Sequence, residues 1–405
     1  MSGLTEGRLA ERAGVSVEHV RELVEAGVLR PRGEAEAAFV DADLRRVRLA
    51  DACIRAGLPL EGLAEAIAAG KLSFAFLDLP QYEWTGAQLS DRTFGQACAQ
   101  LGISFELVRR TQEALGLPPP EREDELVRED DLGLFPSLAI SSSFGMPEEA
   151  IVRAARVYGD ALRRVAQAEA NVYRRYLQEP MLASGMDVGQ MLEATSAFGD
   201  QYLAVMDSTL LAMYHRQQEH SWLENMVENI EGALEELGLH RRLPRPPAMA
   251  FLDLAGYTRL TEEQGDQAAA ELAANLAGIV QASSQRHGGR PVKWLGDGVM
   301  LWFSDPGEAV VAALEAVERV PGAGLPPAHV GIAAGPVVHQ DGDYFGRTVN
   351  LAARISATAG PSEVLVTSDV VEAASAAGIR FEAIGSVELK GFDAPAVLHR
   401  AAAAR

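Results

Sequence analysis

The feature that most constrains this chain is a change of periodicity near residue 247. Ahead of it, apolar residues recur every three to four positions, as in IVRAARVYGDALRRVAQAEANVYRRYL (151–177) and QYLAVMDSTLLAMYHRQQEHSWLENMVENIEGALEELG (201–238). That spacing predicts helix, and from about 124 to 238 nothing interrupts it; Gly238 is a fitting stop. Behind it the chain alternates. AMAFLDL reads as a strand, DQAAAELAANLAGIVQASSQRHG as a helix, and PVKWLGDGVMLWF as a hairpin turning at Gly296-Asp297-Gly298. EAVVAALEAVERV is a second helix, HVGIAAGPVVHQ a strand and RTVNLAARISATAG a third helix, with SEVLVTS and FEAIGSVELKG completing a sheet. The prediction is a multidomain chain: an all-α amino-terminal half, then an α+β sandwich of helices on a largely antiparallel sheet.

Between the two patterns lies HRRLPRPP (240–247), whose prolines predict a semi-rigid, locally basic linker. An earlier break falls at Pro118-Pro119-Pro120, which cannot continue a helix, and LPQYEWTG (79–86) interrupts the helical pattern before it. At the front, residues 5–32 predict two short helices with Gly14 at the turn and Ser16 as N-cap, Leu9, Ala10 and Ala13 facing Val17, Val20, Leu23 and Val24.

The chain has 405 residues, enough for two or three domains, and 48% apolar residues, enough for a core in each. No apolar run has the length of a membrane span, and the amino terminus lacks the basic-then-apolar character of a signal peptide, so a cytoplasmic setting is expected. Cys53 and Cys98 suggest neither a disulfide framework nor a metal site. The net charge of −21 opposes nucleic-acid binding over most of the surface.

Four short segments carry the chemistry: FLDLAGYT (251–258), KWLGDG (293–298), DYFGRTVN (343–350) and LAAR (351–354). Asp253 ends an apolar strand and Asp297 sits in a hairpin turn. If the two strands pair side by side, both carboxylates leave one edge of the sheet, enough with substrate phosphates to hold Mg²⁺. Asp297 alone fits a turn equally well. Asn350 and Arg354 are four apart and share a helix face, offering a donor–acceptor for a ribose and a planar fork for phosphate.

Together these segments resemble the class III adenylate/guanylate cyclase catalytic domain, over residues 247–400. The metal aspartates of that family are spaced as Asp253 and Asp297 are. Its Lys-x-x-Gly-Asp pattern is matched by Lys293, its second base reader by Asp343, and its transition-state asparagine and arginine by Asn350 and Arg354. Lys390, in VELKG, resembles the phosphate-contacting lysine. Departures are Tyr257, where the family often has Phe, and Arg347, where Asp or Asn is common.

The resemblance implies a ferredoxin-like or palm-like fold, two Mg²⁺ or Mn²⁺ ions per site, and conversion of ATP to 3′,5′-cyclic AMP and pyrophosphate. Lysine donates to adenine N1 and aspartate accepts from the 6-amino group; guanine has the opposite polarity, which argues against a guanylate cyclase. It also implies a homodimer, with metal aspartates from one chain and base readers, Asn350 and Arg354 from the other.

Residues 1–75 resemble a MerR-type helix-turn-helix domain, yet residues 1–72 hold ten Arg and Lys against twelve Asp and Glu, unlike a DNA reader. The competing reading is a DNA-binding regulator that senses nucleotide through a cyclase-like domain. Residues 76–239 are expected to form a helical regulatory domain, within which about 120–238 resemble the regulatory regions of actinobacterial soluble cyclases, so a pH or small-molecule regulator is expected, with His215, His220 and His240 as candidate titrating groups. Met181, Met186, Met191, Met206 and Met213 are read as core rather than lipid pocket. The expected domains are therefore 1–75, 76–239, a linker at 240–247, and a catalytic domain at 248–405.

Overall fold

The structure, a computed structural model, describes residues 3–32, 38–78, 89–239, 246–374 and 378–404. It divides into two compact units, residues 1–227 and 228–405. The predicted interruption at 79–86 and most of the predicted linker, including His240, Arg241, Arg242 and Arg245, lie outside the described residues.

The first unit opens with α1 (Glu6–Ala13) and α2 (Val17–Glu25), joined as the sequence predicts. Gly14 adopts the left-handed conformation (φ 74°) that lets its N–H and that of Val15 close the end of α1, and the Ser16 hydroxyl accepts from the His19 N–H. Helices α3 (Asp41–Arg55) and α4 (Leu60–Ala68) complete a core around Leu9, Val20, Leu23, Leu44 and Val47.

Expectation and structure part at β1 (Leu89–Thr93) and β2 (Leu126–Arg128), an antiparallel pair in a half predicted to be all α. The pair is short and polar, with only Ser90 and Val127 buried, so no apolar period announces it. It frames α5 (Phe94–Leu101) and α6 (Phe105–Leu115), whose end at Gly116 precedes the proline run. Helices α7 (Leu134–Ser143) and α8 (Glu148–Tyr173) follow. A Cβ on Gly159 of α8 would stand 2.5 Å from the Leu115 carbonyl oxygen, so α8 crosses the end of α6 at a distance only glycine permits. A short π turn leads into α9 (Glu179–Ala183), and α10 (Val188–Glu236) then runs for 49 residues, stopped by Gly238 at φ 69°. The methionines expected in a core divide: Met191 is buried, but Met186 and Met213 are exposed, because helical spacing does not say which side of a helix has a partner.

The second unit is the predicted α+β sandwich. Strands β3 (Ala248–Leu254), β4 (Gly289–Leu295), β5 (Gly298–Phe303), β6 (Ala328–Ala334), β9 (Val364–Thr367), β10 (Ile379–Val387) and β11 (Ala396–Ala403) form a seven-stranded sheet in the order β10-β11-β9-β6-β3-β5-β4. Only β6 and β9 pair in parallel. Strands β7 (Val338–Gln340) and β8 (Asp343–Phe345) form a separate hairpin. This hairpin, β11, α11 (Tyr257–Gln264) and α15 (Ser368–Ala373) were not foreseen.

Alternation along β3 decides the layers. Ala248, Ala250, Leu252 and Leu254 face a core shared with α12 (Asp266–Arg286), α13 (Pro306–Arg319) and α15 (Ser368–Ala373). Met249 and Phe251 face the other side, with Met300, Trp302, Ala333 and α14 (Arg347–Ser356). Asp253 continues that second row.

Candidate active site

Two pairs of candidate site residues form on the α14 side of the sheet. The first is Asp253 with Asp297. Strands β3 and β5 are neighbours, Leu252 opposite Val299, and the β4–β5 turn at Gly296-Asp297 brings the second carboxylate beside the end of β3. Gly296, at φ 70°, supplies the positive φ that a two-residue hairpin loop requires. Gly298 allows the approach, since a Cβ there would be 3.0 Å from Asp253 Oδ1. Burial pushes the Asp253 carboxyl above the usual aspartate range, the charge of Asp297 pushes it further, and His329 and the Leu254 N–H oppose this. No lysine or arginine among the described residues pairs with either carboxylate. Two half-buried carboxylates that repel each other and lack a cation are a donor set suited to a divalent metal ion.

The second pair is Lys293 with Asp343. Lys293 Nζ lies 2.5 Å from Asp343 Oδ2, with the side chains 41% and 27% exposed. Asp343 Oδ1 accepts from the Tyr344 N–H at 2.8 Å. A lysine and an aspartate side by side present one donor and one acceptor at an accessible surface.

Asn350 and Arg354 lie on the exposed side of α14, one turn apart, while Val349, Ala352 and Ile355 bury the opposite side. Neither has a side-chain partner among the described residues, and α14 brings them into contact with neither pair. Lys390 is exposed in the turn after β10, also without a partner. Three residues the sequence reading passed over shape the site. His329 stands opposite Asp253 on β6, with a buried Nδ1 that has no partner among the described residues. Gly298 admits Asp253. Gly331 admits α14, because a Cβ there would be 2.0 Å from the Ser356 nitrogen. A glycine inside a strand pattern such as HVGIAAG is the available signal for such an approach.

Comparison with known proteins gives the family of the chain. Residues 327–399 match the adenylate and guanylate cyclase catalytic domain, a stretch that holds Asp343, Asn350, Arg354 and Lys390, and residues 39–219 match the adenylate cyclase regulatory domain. An adenylate cyclase of Streptomyces coelicolor is 31% identical over 278 residues, 68% of this chain and 70% of the relative. The pH-sensitive adenylate cyclase MT1302 of Mycobacterium tuberculosis is 28% identical over 302 residues, 72% of each chain. An uncharacterized protein of M. tuberculosis, Rv2212, is 27% identical over 318 residues, 77% of this chain and 79% of the relative. The chain belongs to the adenylate cyclases, as an enzyme with a class III catalytic domain behind an adenylate cyclase regulatory domain. Among the described residues, no helix is long and apolar enough to cross a membrane.

Proposed function

We propose that the protein converts ATP to 3′,5′-cyclic AMP and pyrophosphate at sites completed across a homodimer, under control of its helical half. Asp253 and Asp297 would hold two Mg²⁺ or Mn²⁺ ions, which when bound neutralise phosphate charge and lower the pKa of the 3′-hydroxyl. Lys293 donates to adenine N1 and Asp343 accepts from the 6-amino group. The ribose 3′-hydroxyl releases its proton to solvent, its oxygen bonds to the α-phosphorus, and the bond from that phosphorus to the pyrophosphate oxygen breaks. Arg354 stabilises the charge that develops on that phosphorus, Asn350 orients the ribose, and Lys390 contacts the phosphates.

The observation that carries this reading is the state of α14. Asn350 and Arg354 face outward with no side-chain partner among the described residues, in a domain that holds a carboxylate pair and a base-reading pair. A phosphate-binding fork left open at the surface fits a site that a second copy closes. Trp294, Leu295, Val338 and Phe345, all between 43% and 58% exposed, supply apolar surface for such an interface. Leu223, Val227, Ile230 and Leu234 on α10, with Leu237 in the turn just beyond it, are exposed at alternating four- and three-residue steps, a seam suited to pairing with its copy.

The regulatory input is assigned to the helical half, with protons or a small molecule as the signal. His215 and His220 are exposed on α10, and His220 Nε2 lies 3.4 Å from Glu224 Oε1; His240 is outside the described residues. The MerR-like front end is read as part of this regulatory half rather than as a DNA reader. Five of its arginines are engaged internally: Arg8 on Glu11, Arg12 on Asp41, Arg21 on Glu6, Arg46 on Asp43 and Asp78, and Arg45 on the Leu77 carbonyl.

Turnover of ATP and GTP with Mg²⁺ or Mn²⁺ tests the reading. Wild type should cyclise ATP in preference to GTP, Asp297→Ala should be inactive, and Lys293→Glu should depress ATP turnover. Full activity in Asp297→Ala would remove the metal assignment, and unchanged ATP turnover in Lys293→Glu would remove the base reader.

A further inference from the structure

We propose that Arg290, acting through the Tyr344 hydroxyl, is a positioning residue that holds Asp343 in place to select the purine; the proposal rests on Lys293 and Asp343 reading the base. Asp343 lies on β8, which is no part of the seven-stranded sheet. No backbone ladder ties it to β4, where Lys293 lies. Side chains must fix the distance between the two readers.

Among the described residues two side-chain contacts, at 2.5 and 2.9 Å, join these strands. One is the Lys293–Asp343 pair itself, and the other is Arg290 Nη2 donating to the Tyr344 hydroxyl at 2.9 Å. The second link is built into a stack. The Arg290 guanidinium carbon lies 4.5 Å from the Trp302 ring centroid. The Tyr344 ring is nearly parallel to Trp302, with centroids 6.0 Å apart and planes at 14°, and lies 4.7 Å from the His339 ring. Tyr344 is buried and directly follows Asp343, whose carboxylate its own N–H holds.

An irregularity in β4 makes this possible. Residues three apart on an unbroken strand point to opposite faces. The register shifts between Pro291 and Lys293, so Arg290 opposes Trp302 while Lys293 opposes Met300, two positions on one face. The extra residue, Val292, aims the reader and its support the same way.

The second link matters most when substrate is bound. An exposed ion pair orders a surface weakly. Once adenine draws on a donor of Lys293 and an acceptor of Asp343, it competes with the direct link between the strands. The Arg290–Tyr344 bond and the stack on Trp302 then remain to keep Asp343 at the spacing that suits adenine and not guanine. Discrimination of this kind depends on readers held in place before the base arrives.

The test uses the full-length chain with Tyr344→Phe, Arg290→Met and Arg290→Lys, reading kcat and KM for ATP, GTP as substrate and as competitor, and Tm. Tyr344→Phe keeps the ring and removes one hydrogen bond to a charged group. It should raise KM for ATP and lower the ATP-to-GTP preference about tenfold, with kcat changed less than about threefold. Arg290→Met should match it, the double variant should add little, and Arg290→Lys should recover part of the preference. A folded Tyr344→Phe with unaltered KM and preference overturns the proposal, whether or not Tm falls. Lys293→Glu serves as the control. If it leaves ATP turnover unchanged, base reading fails and the positioning role with it. If it depresses turnover while Tyr344→Phe changes nothing, only the positioning role fails.

Discussion

At the scale of single residues, the carboxylates work against the stability of the fold. Burial and the charge of Asp297 both oppose ionisation of Asp253. In the metal-free protein Asp297→Asn should therefore raise stability, read as an increase in Tm, and, if the two carboxylates hold the metal as proposed, it should abolish the further rise in Tm expected for wild type on adding Mg²⁺ or Mn²⁺. Glu315 is the opposite case. Burial pushes its carboxyl up, but hydrogen bonds from Arg286 and His287 outweigh this and hold it below the usual glutamate range. A carboxyl lowered by folding stabilises the protein above its unfolded pKa and loses that contribution as pH falls through the folded one. Between about pH 5 and pH 3, Glu315→Gln should therefore lose less stability than wild type; thermal unfolding across that range measures it. The residue is partly exposed, so solvent screening keeps the difference below about 1 kcal/mol.

At the scale of elements, α14 and β6 are one device. Gly331 sits mid-strand with Phe251 on one side and Leu365 on the other, and its missing side chain lets the end of α14 lie on β6. Gly331→Ala would place a Cβ against backbone atoms of Ser356, Ala352 and Ile355, which cannot swing aside as a side chain can. Overpacking of this kind costs about 1–3 kcal/mol. Because α14 carries Asn350 and Arg354, the expected result is a lower Tm together with a fall in kcat larger than any rise in KM for ATP. The same elements show what was legible beforehand. AMAFLDL is β3 residue for residue, because a buried strand alternates its two cores plainly. The β7–β8 hairpin was not foreseen because it is two three-residue strands across Asp341-Gly342, and β7 is exposed throughout. HVGIAAGPVVHQ thus divides at Gly335-Pro336 into a core strand and a hairpin arm.

At the scale of the whole molecule, the prediction concerns assembly. If each site draws Asp253 and Asp297 from one chain and Asn350 and Arg354 from the other, two inactive variants can complement. Asp297→Ala and Arg354→Ala, each inactive alone, should recover about a quarter of wild-type activity when equal amounts are refolded or co-expressed. Half of randomly assorted dimers are then mixed, each with one intact site of two. No recovery in mixed dimers whose formation is verified would remove the shared-site arrangement. The net charge of −21 bears on the same scale: chains of one sign repel, so the proposed pairing would have to draw on apolar surface such as that at Trp294, Phe345 and the α10 seam.

The sequence by itself determined the two patterns of the chain, most of the core strands and long helices of its second half, and which residue types stand at which spacing in the four segments. These are local matters, set by periodicity, turn residues and chain distance, and a linear reading reaches them. The tertiary structure decided which of those residues meet. Asp253 is beside Asp297 because β3 and β5 are neighbours and Gly298 has no side chain. Lys293 faces Asp343 because one extra residue in β4 reverses a parity that counting residues would have set the other way. Pairing order, bulges and close approaches depend on the partner strand and not on the strand itself, so they are written only in three dimensions.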